Sequence, residues 1–185
     1  MQLETERLII KPLIESDVAA ALKVYEQSAD FLSLQTTEPP SLELVQADMQ
    51  SSAEHGSLFC GIFKRTSNDL IGVVDFIPKN FRGQIDYAWI SILLIREADR
   101  RQGYGSEAYR AVEAHIFSDP VVKRIGHTLL PQYEPSLAFA EKMGFERAGG
   151  PFKNKRGYGL YSFVKKRPGG PETPGERIWK AMSKR

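Results

Sequence analysis

The chain of 185 residues has a single cysteine, Cys60. An internal disulfide is therefore excluded, and a reducing compartment is the expectation. No apolar run approaches the roughly 20 residues of a membrane-spanning helix. The N-terminus lacks the basic-then-apolar pattern of a secretion leader. A cytoplasmic location with no membrane partner is expected. The three histidines, His55, His115 and His127, are far apart in the chain. No His/Cys/Asp group has metal-ligand spacing, so no metal is called for. Internal repeats are absent. No Gly-Lys-Ser/Thr ending is found after the glycine-rich turn, which excludes a nucleotide P-loop.

With 42% apolar residues, the chain can build one real core. Residues 3–13 read as a strand. Ser16 is a plausible cap for a helix whose apolar face is Val18, Ala21, Leu22 and Tyr25. Pro39-Pro40-Ser41 opens a second helix, with Leu42, Val45 and Met49 turned inward. Phe31 and Leu34 lie between the two. Residues 57–64 and 70–77 read as an antiparallel hairpin, and 84–95 as the next strand. Ala108, Ala111, Val112, His115 and Ile116 then give one face of a central helix. A strand at 121–130 follows. A further helix has Pro135 at its start and Gly144 at its end. A final strand pair spans 145–152 and 158–166.

That order predicts an α/β domain over residues 1–167 with a mixed, mostly antiparallel sheet. The two strands flanking the central helix would be parallel neighbours joined by a right-handed crossover. After Arg167 a Pro/Gly-rich linker leads into a short basic tail, together 168–185.

The stretch most informative about chemistry is Arg100-Arg101-Gln102-Gly103-Tyr104-Gly105, between an apolar strand and the central helix. A helix start offers N–H groups without intrahelical partners and a positive dipole end. Gly103 and Gly105 remove side chains that would keep a phosphate away. By itself the spacing supports either a tight turn or an anion site.

Three stretches together resemble a known family. Arg100-x-x-Gly103-x-Gly105 after a hydrophobic strand resembles the acetyl-CoA pyrophosphate signature of the GNAT N-acetyltransferase superfamily. LETERLIIKPL at 3–13 and SLAFAEKMGF at 136–145 resemble the first strand and late helix of its ribosomal-protein N-terminal acetyltransferase subgroup. The resemblance implies a GNAT-like fold in which the two parallel strands splay apart to admit the pantetheine arm of acetyl-CoA. It implies that backbone groups of Arg101, Gln102, Gly103, Tyr104, Gly105 and Ser106 take the pyrophosphate, with charge from Arg100 or Arg101. Leu93 and Ile95 would pair with the pantetheine through their backbone, and an N–H near Leu94 would serve the oxyanion. In that fold, the first two helices shape the acceptor pocket, so Phe31 and Leu34 are candidates to line it.

Acyl transfer also needs a proton for the leaving thiolate and a neutral amine. Many GNAT enzymes carry a tyrosine four residues before the glycine of Gly-Phe; here that position is Ala140. The subgroup resemblance points instead to Ser136, whose hydroxyl would approach the thiol. The subgroup commonly has Asn three residues before that serine; here it is Tyr133, itself a possible proton donor. For a base, Asp75 and Asp86 sit on apolar strands, where an unpaired carboxylate is costly. Asp86 is the foremost candidate, with Asp75 and Glu134 as others. His115 and His127 read as core residues. Cys60 lacks a neighbouring base in sequence.

Net charge is +2, unevenly placed. From Lys153 onward, ten Lys/Arg oppose two carboxylates, a net of +8 that leaves −6 for the preceding residues. An acidic body favours a cationic amine acceptor. The expected activity is direct acetyl transfer from acetyl-CoA to a primary amine, either a small amine or a protein N-terminus. The alternative is a non-catalytic CoA-binding module whose basic tail engages an acidic partner or nucleic acid. Trp179 is the only aromatic residue in the tail, which argues against single-stranded nucleic acid. A homodimer docked through the tail is a third arrangement.

Overall fold

A computed structural model describes residues 1–154 and 156–169. Its strands are β1 (Leu3–Glu4), β2 (Leu8–Pro12), β3 (Leu58–Lys64), β4 (Leu70–Ile77), β5 (Tyr87–Ile95), β6 (Arg124–Leu129), β7 (Glu146–Lys153) and β8 (Gly159–Lys166). Its helices are α1 (Val18–Glu26), α2 (Ala29–Leu32), α3 (Leu42–Glu54), α4 (Tyr104–Ser118) and α5 (Glu134–Met143). One sheet runs β1-β2-β3-β4-β5-β6-β8-β7. Every neighbouring pair is antiparallel except β5 and β6, which flank α4 in sequence. This is the mixed α/β arrangement expected from the element order. The expected tail lies outside the described residues from 170 onward.

Local departures from the sequence reading have local causes. The strand expected over 3–13 is a hairpin. Thr5 turns the chain by exchanging bonds with Leu8: its N–H donates to the Leu8 carbonyl, and its hydroxyl accepts from the Leu8 N–H, both at 2.9 Å. Ser16 caps nothing. Residues 15–17 form a 3₁₀ turn, in which the Asp17 carboxylate accepts from the Ile14 N–H (3.1 Å), and α1 starts only at Val18. Ser41 does cap α3, accepting from the Leu44 N–H at 3.1 Å. That cap turns Leu42 outward while Val45 is fully buried.

Strand alternation divides the core in two. Leu8, Ile10, Ile62, Ile71, Val74 and Phe76 pack with α4 residues Tyr109, Val112 and Ile116. Phe59, Phe63, Val73 and Leu94 pack on the other face with Val24, Tyr25 and Val45 of α1 and α3.

Two irregularities in β5 open the sheet. The pairing of β4 with β5 jumps from Asp75↔Ile92 to Phe76↔Ile90, leaving Ser91 as an extra residue in a bulge. Ile90 therefore belongs to the α4 side and Ile92 to the α1/α3 side. The parallel pairing of β5 with β6 runs from Tyr87↔Arg124 to Ile90↔His127 and stops. Beyond it β5 follows β4 to Ile95, while β6 follows β8 to Leu129. The two strands form a fork that opens after Ile90.

Candidate active site

The fork holds a cleft of about 500 Å³. Its walls are Ile90 to Ile95 of β5 except Ser91, the start of α4, and the α5 side chains Ser136, Phe139 and Ala140, with His127 and Leu129 from β6. The edge of β5 facing β6 is unpaired beyond Ile90. The Arg96 N–H donates to the Ile71 carbonyl of β4 at 2.9 Å, and the Arg100 guanidinium donates to the Ile95 carbonyl at 2.8 Å. Alternation along the strand then turns the N–H and C=O of Leu93 and Ile95 towards the fork. It turns those of Leu94 into the β4 ladder opposite Val73. The open N–H groups near Leu94 are therefore those of its two neighbours, Leu93 and Ile95.

At the mouth, Gly103 caps α4 with φ +86°, a conformation that favours glycine. The first bond into the helix runs from the Glu107 N–H to the Gly103 carbonyl at 3.0 Å. The N–H groups of Tyr104, Gly105 and Ser106 have no intrahelical acceptor, and Gly103, Gly105 and Ser106 line the cleft. A Cβ on Gly105 would sit 3.5 Å from Ile95, so glycine there is not demanded by protein packing. The turn is braced from β1–β2. Arg7 pairs with Glu107 at 2.6 Å, donates to the Gln102 carbonyl at 3.1 Å, and lies over the Tyr104 ring at 4.4 Å. Burial would raise the Glu107 carboxyl, but bonds from Thr5 and Arg7 outweigh it and hold it below its ordinary range. Arg7 lies inside the first stretch that resembled the family, yet nothing in its spacing marked this role.

The two arginines expected at the phosphates are unlike. Arg100 is committed to protein: its guanidinium binds both Asp30 oxygens (2.9 and 3.1 Å) and the Gln27 carbonyl (3.2 Å). Arg101, with φ +63°, makes no ion pair among the described residues and lines the same mouth. The free charge at the turn is thus Arg101, and Arg100 ties the strand end to α2.

Tyr133 shares that cluster. Its hydroxyl donates to Asp30 at 2.8 Å, and its ring meets Phe31 at 5.2 Å. Burial, then the Asp30 bond, push the Tyr133 hydroxyl up to about 12. Arg100 and Tyr133 in turn hold Asp30 low against the effect of its burial. A hydroxyl already donating to a carboxylate makes Tyr133 a poor proton source for a leaving thiolate. Phe31, expected at the acceptor pocket, lines this cleft. Leu34 does not line it, and its carbonyl accepts from Asn154 at 2.9 Å. Sequence reading missed Asp30, a lone exposed acid in a short connection with no motif around it.

Ser136 lies in the first turn of α5 and lines the cleft. Its N–H donates to the Tyr133 carbonyl at 3.0 Å, and its hydroxyl caps nothing. Asp86 is corrected as a base. It precedes β5 at the closed end of the fork, lines neither cavity, is 40% exposed, and faces Arg124 at 3.5 Å. Glu134 is exposed on α5 and also outside both cavities. Burial pushes the Cys60 thiol up to about 12, which suits a packing residue and not a nucleophile. No group of three or more metal-ligating side chains occurs among the described residues.

His127 is not an ordinary core histidine. It lines the cleft at the vertex of the fork, and its Nδ1 lies 2.7 Å from the Ile90 carbonyl. Burial keeps its imidazole below the ordinary histidine range, against that bond.

A second cavity of about 370 Å³ lies on the α3 side of β4 and β5. Ile92 lines both cavities. Asp75 is 8% exposed and accepts from the hydroxyls of Ser52 (2.6 Å) and Ser57 (2.5 Å). Asp48 accepts from Tyr25 at 2.7 Å. Burial, reinforced by the Asp75 charge, raises the Asp48 carboxyl despite that bond. Neither carboxylate has an ion-pair partner among the described residues. Phe81 and Trp89 stack at 4.3 Å to form the opposite wall.

The whole chain was compared with known proteins. The model of the acetyltransferase (GNAT) domain family matches residues 7–146. An uncharacterized N-acetyltransferase, YoaA of Bacillus subtilis, is 27% identical over 154 residues, covering 80% of this chain and 84% of that protein. A GNAT-family acetyltransferase from Bacillus anthracis has the same fold (TM-score 0.73, 21% identity, 90% of this chain and 98% of that one). So does the Salmonella typhimurium acetyl transferase that modifies the N-terminal serine of ribosomal protein L7/L12 (TM-score 0.75, 18% identity, 90% and 99%). A further neighbour, the ribosomal L7/L12 acetyltransferase RimL, was solved with coenzyme A (TM-score 0.73, 18% identity). With its glycine turn at the head of α4 and its forked β5 and β6, this chain belongs to the GNAT acetyltransferase family.

Proposed function

We propose that this acetyltransferase moves an acetyl group directly from acetyl-CoA to the primary amine of a small cationic acceptor. The observation that carries the reading is the pair of neighbouring cavities along β5, which share Ile92. The fork offers backbone groups and apolar walls. The second cavity offers two carboxylates without a counter-cation among the described residues and a stacked aromatic wall, a combination that attracts an ammonium group.

The chemistry divides accordingly. Backbone N–H groups of Tyr104, Gly105 and Ser106, with Arg101, suit the donor's phosphates. The backbone of Leu93 and the N–H of Ile95 suit its pantetheine amides, and the Leu93 N–H, nearer the vertex of the fork, suits the developing oxyanion. The Ser136 hydroxyl is free to meet the donor's sulfur. Asp75 and Asp48 attract the protonated acceptor. A protein N-terminus, the acceptor of the Salmonella enzyme, is the competing member of the same amine class.

The test is thermal unfolding with and without acetyl-CoA, followed by thiol release against diamines, amino acids and N-terminal peptides. Ligand at 100 times its Kd stabilises by about 2.7 kcal/mol. A shift with thiol release on a diamine supports the reading. Release only with peptides moves the acceptor to a protein N-terminus. A shift without release for any amine refutes the transfer.

A further inference from the structure

Acyl transfer has a proton to move, and the groups named for it from sequence are occupied or misplaced. Tyr133 already donates to Asp30, and Asp86 lies outside the cleft. The other ionisable side chains in the cleft fare no better. Asp99 is held by Lys64 at 2.6 Å and by Arg96. The Tyr109 hydroxyl donates to Glu113 at 3.0 Å, Arg100 is bound to Asp30, and Arg101 stands at the phosphate end. Lys142 is exposed on the last turn of α5.

His127 is the exception. Among the described residues, the only hydrogen bond of its side chain is to the Ile90 carbonyl. A carbonyl can only accept, so Nδ1 carries the proton and Nε2 has a free lone pair. The residue's place is decisive. Ile90 and His127 are the last paired residues of the fork, five positions back along β5 from Ile95. That distance is about 16 Å at about 3.3 Å per residue. A donor whose phosphates sit at the head of α4 and whose arm follows β5 inward brings its thioester to this vertex.

We propose that His127 is a catalytic residue that shuttles the proton between amine and sulfur. This rests on the donor placement and amine acceptor proposed above. The reacting nitrogen reaches the thioester neutral, its ammonium proton having gone to solvent, and as it bonds to the thioester carbon Nε2 takes one further proton from it. As the C–S bond breaks, the same proton passes to the departing sulfur. The products are an amide and a free thiol, and the imidazole returns to its neutral Nδ1–H form. No other co-reactant is needed. One group can serve both steps because nitrogen and sulfur are attached to the same carbon. The bond to Ile90 fixes the tautomer and ring orientation throughout.

The decisive variant is His127→Asn. Its amide nitrogen can keep the bond to the Ile90 carbonyl but offers no base. Expected are an unchanged acetyl-CoA Kd by calorimetry and a kcat reduced by about 100-fold, with loss of the acidic limb of the wild-type kcat–pH profile. An unchanged kcat, a surviving acidic limb, or a Kd that weakens as much as kcat falls would overturn the shuttle. The last result would make His127 a structural strand tie. Nitrogen-15 NMR of the wild-type imidazoles decides independently of any acceptor. The expected His127 signal is the neutral Nδ1–H tautomer, with the Nε2 resonance moving when acetyl-CoA is added. A proton on Nε2, or a resonance indifferent to acetyl-CoA, overturns the proposal. Failure of every amine to release thiol would instead strike the acceptor reading, and the NMR result would still stand.

Discussion

The two cavities along β5 present different groups. The fork presents backbone: the open N–H groups of Leu93 and Ile95 and the uncapped N–H groups after Gly103. On the α3 face, the cavity presents side chains: Asp75 and Asp48 against Phe81 and Trp89. Backbone recognition tolerates almost any apolar side chain and leaves its trace as glycines at fixed spacing. Side-chain recognition leaves no spacing, because its residues come from α3, β4, β5 and the loop between the two strands.

The largest effect expected from breaking this contrast is Gly103→Arg. It places a side chain where an anion must approach, at a φ that disfavours one. Donor affinity should fall by about 100-fold, equivalent to about 2.7 kcal/mol, and calorimetry with acetyl-CoA reads it directly. An unchanged Kd would remove the anion site from the turn. Asp75→Asn should act on the other face alone. It keeps an acceptor for Ser52 and Ser57 but removes charge, so KM for a cationic amine should rise by about tenfold, or about 1.4 kcal/mol, with the acetyl-CoA Kd unchanged. A rise in both constants would mean that the cavities are not separate.

Smaller effects separate the hydroxyls of Ser136 and Tyr133. Ser136→Ala should lower kcat without weakening the donor, whereas Tyr133→Phe should cost stability and little turnover. Losing the bond to Asp30 is worth about 1–2 kcal/mol in a denaturant titration. A collapse of kcat in Tyr133→Phe would return the proton-donor role to that residue.

The smallest effect is a pH dependence. His127 is held below its ordinary value of 6.5 in the fold. As pH falls below 6.5, the unfolded chain takes up that proton before the native one, so stability drops towards the native value. Asp30, Asp99 and Glu107 are held low and contribute a separate loss, beginning only near pH 4. The step nearer pH 6 should disappear in His127→Asn, and urea titrations at several pH values would reveal whether it does.

The sequence by itself determined the order of elements, the parallel pair around α4 and the glycine turn. Each is written in local terms: apolar periodicity, a breaker, a positive-φ position. It also marked Ser136 and the mouth residues from Arg101 to Ser106, because a turn places its own neighbours. Only the tertiary structure decided which charges are free. Asp30 and Arg100 are 70 positions apart and cancel each other, which leaves Arg101 open. It alone moved Asp86 out of contention, through a partner on β6, and turned the Leu94 N–H into the sheet. It also made His127 a cleft residue, because a strand reads as buried until its neighbour departs. The departure of β6 from β5 after Ile90 is a long-range event, fixed by pairing with β8, and no pattern within β6 announces it.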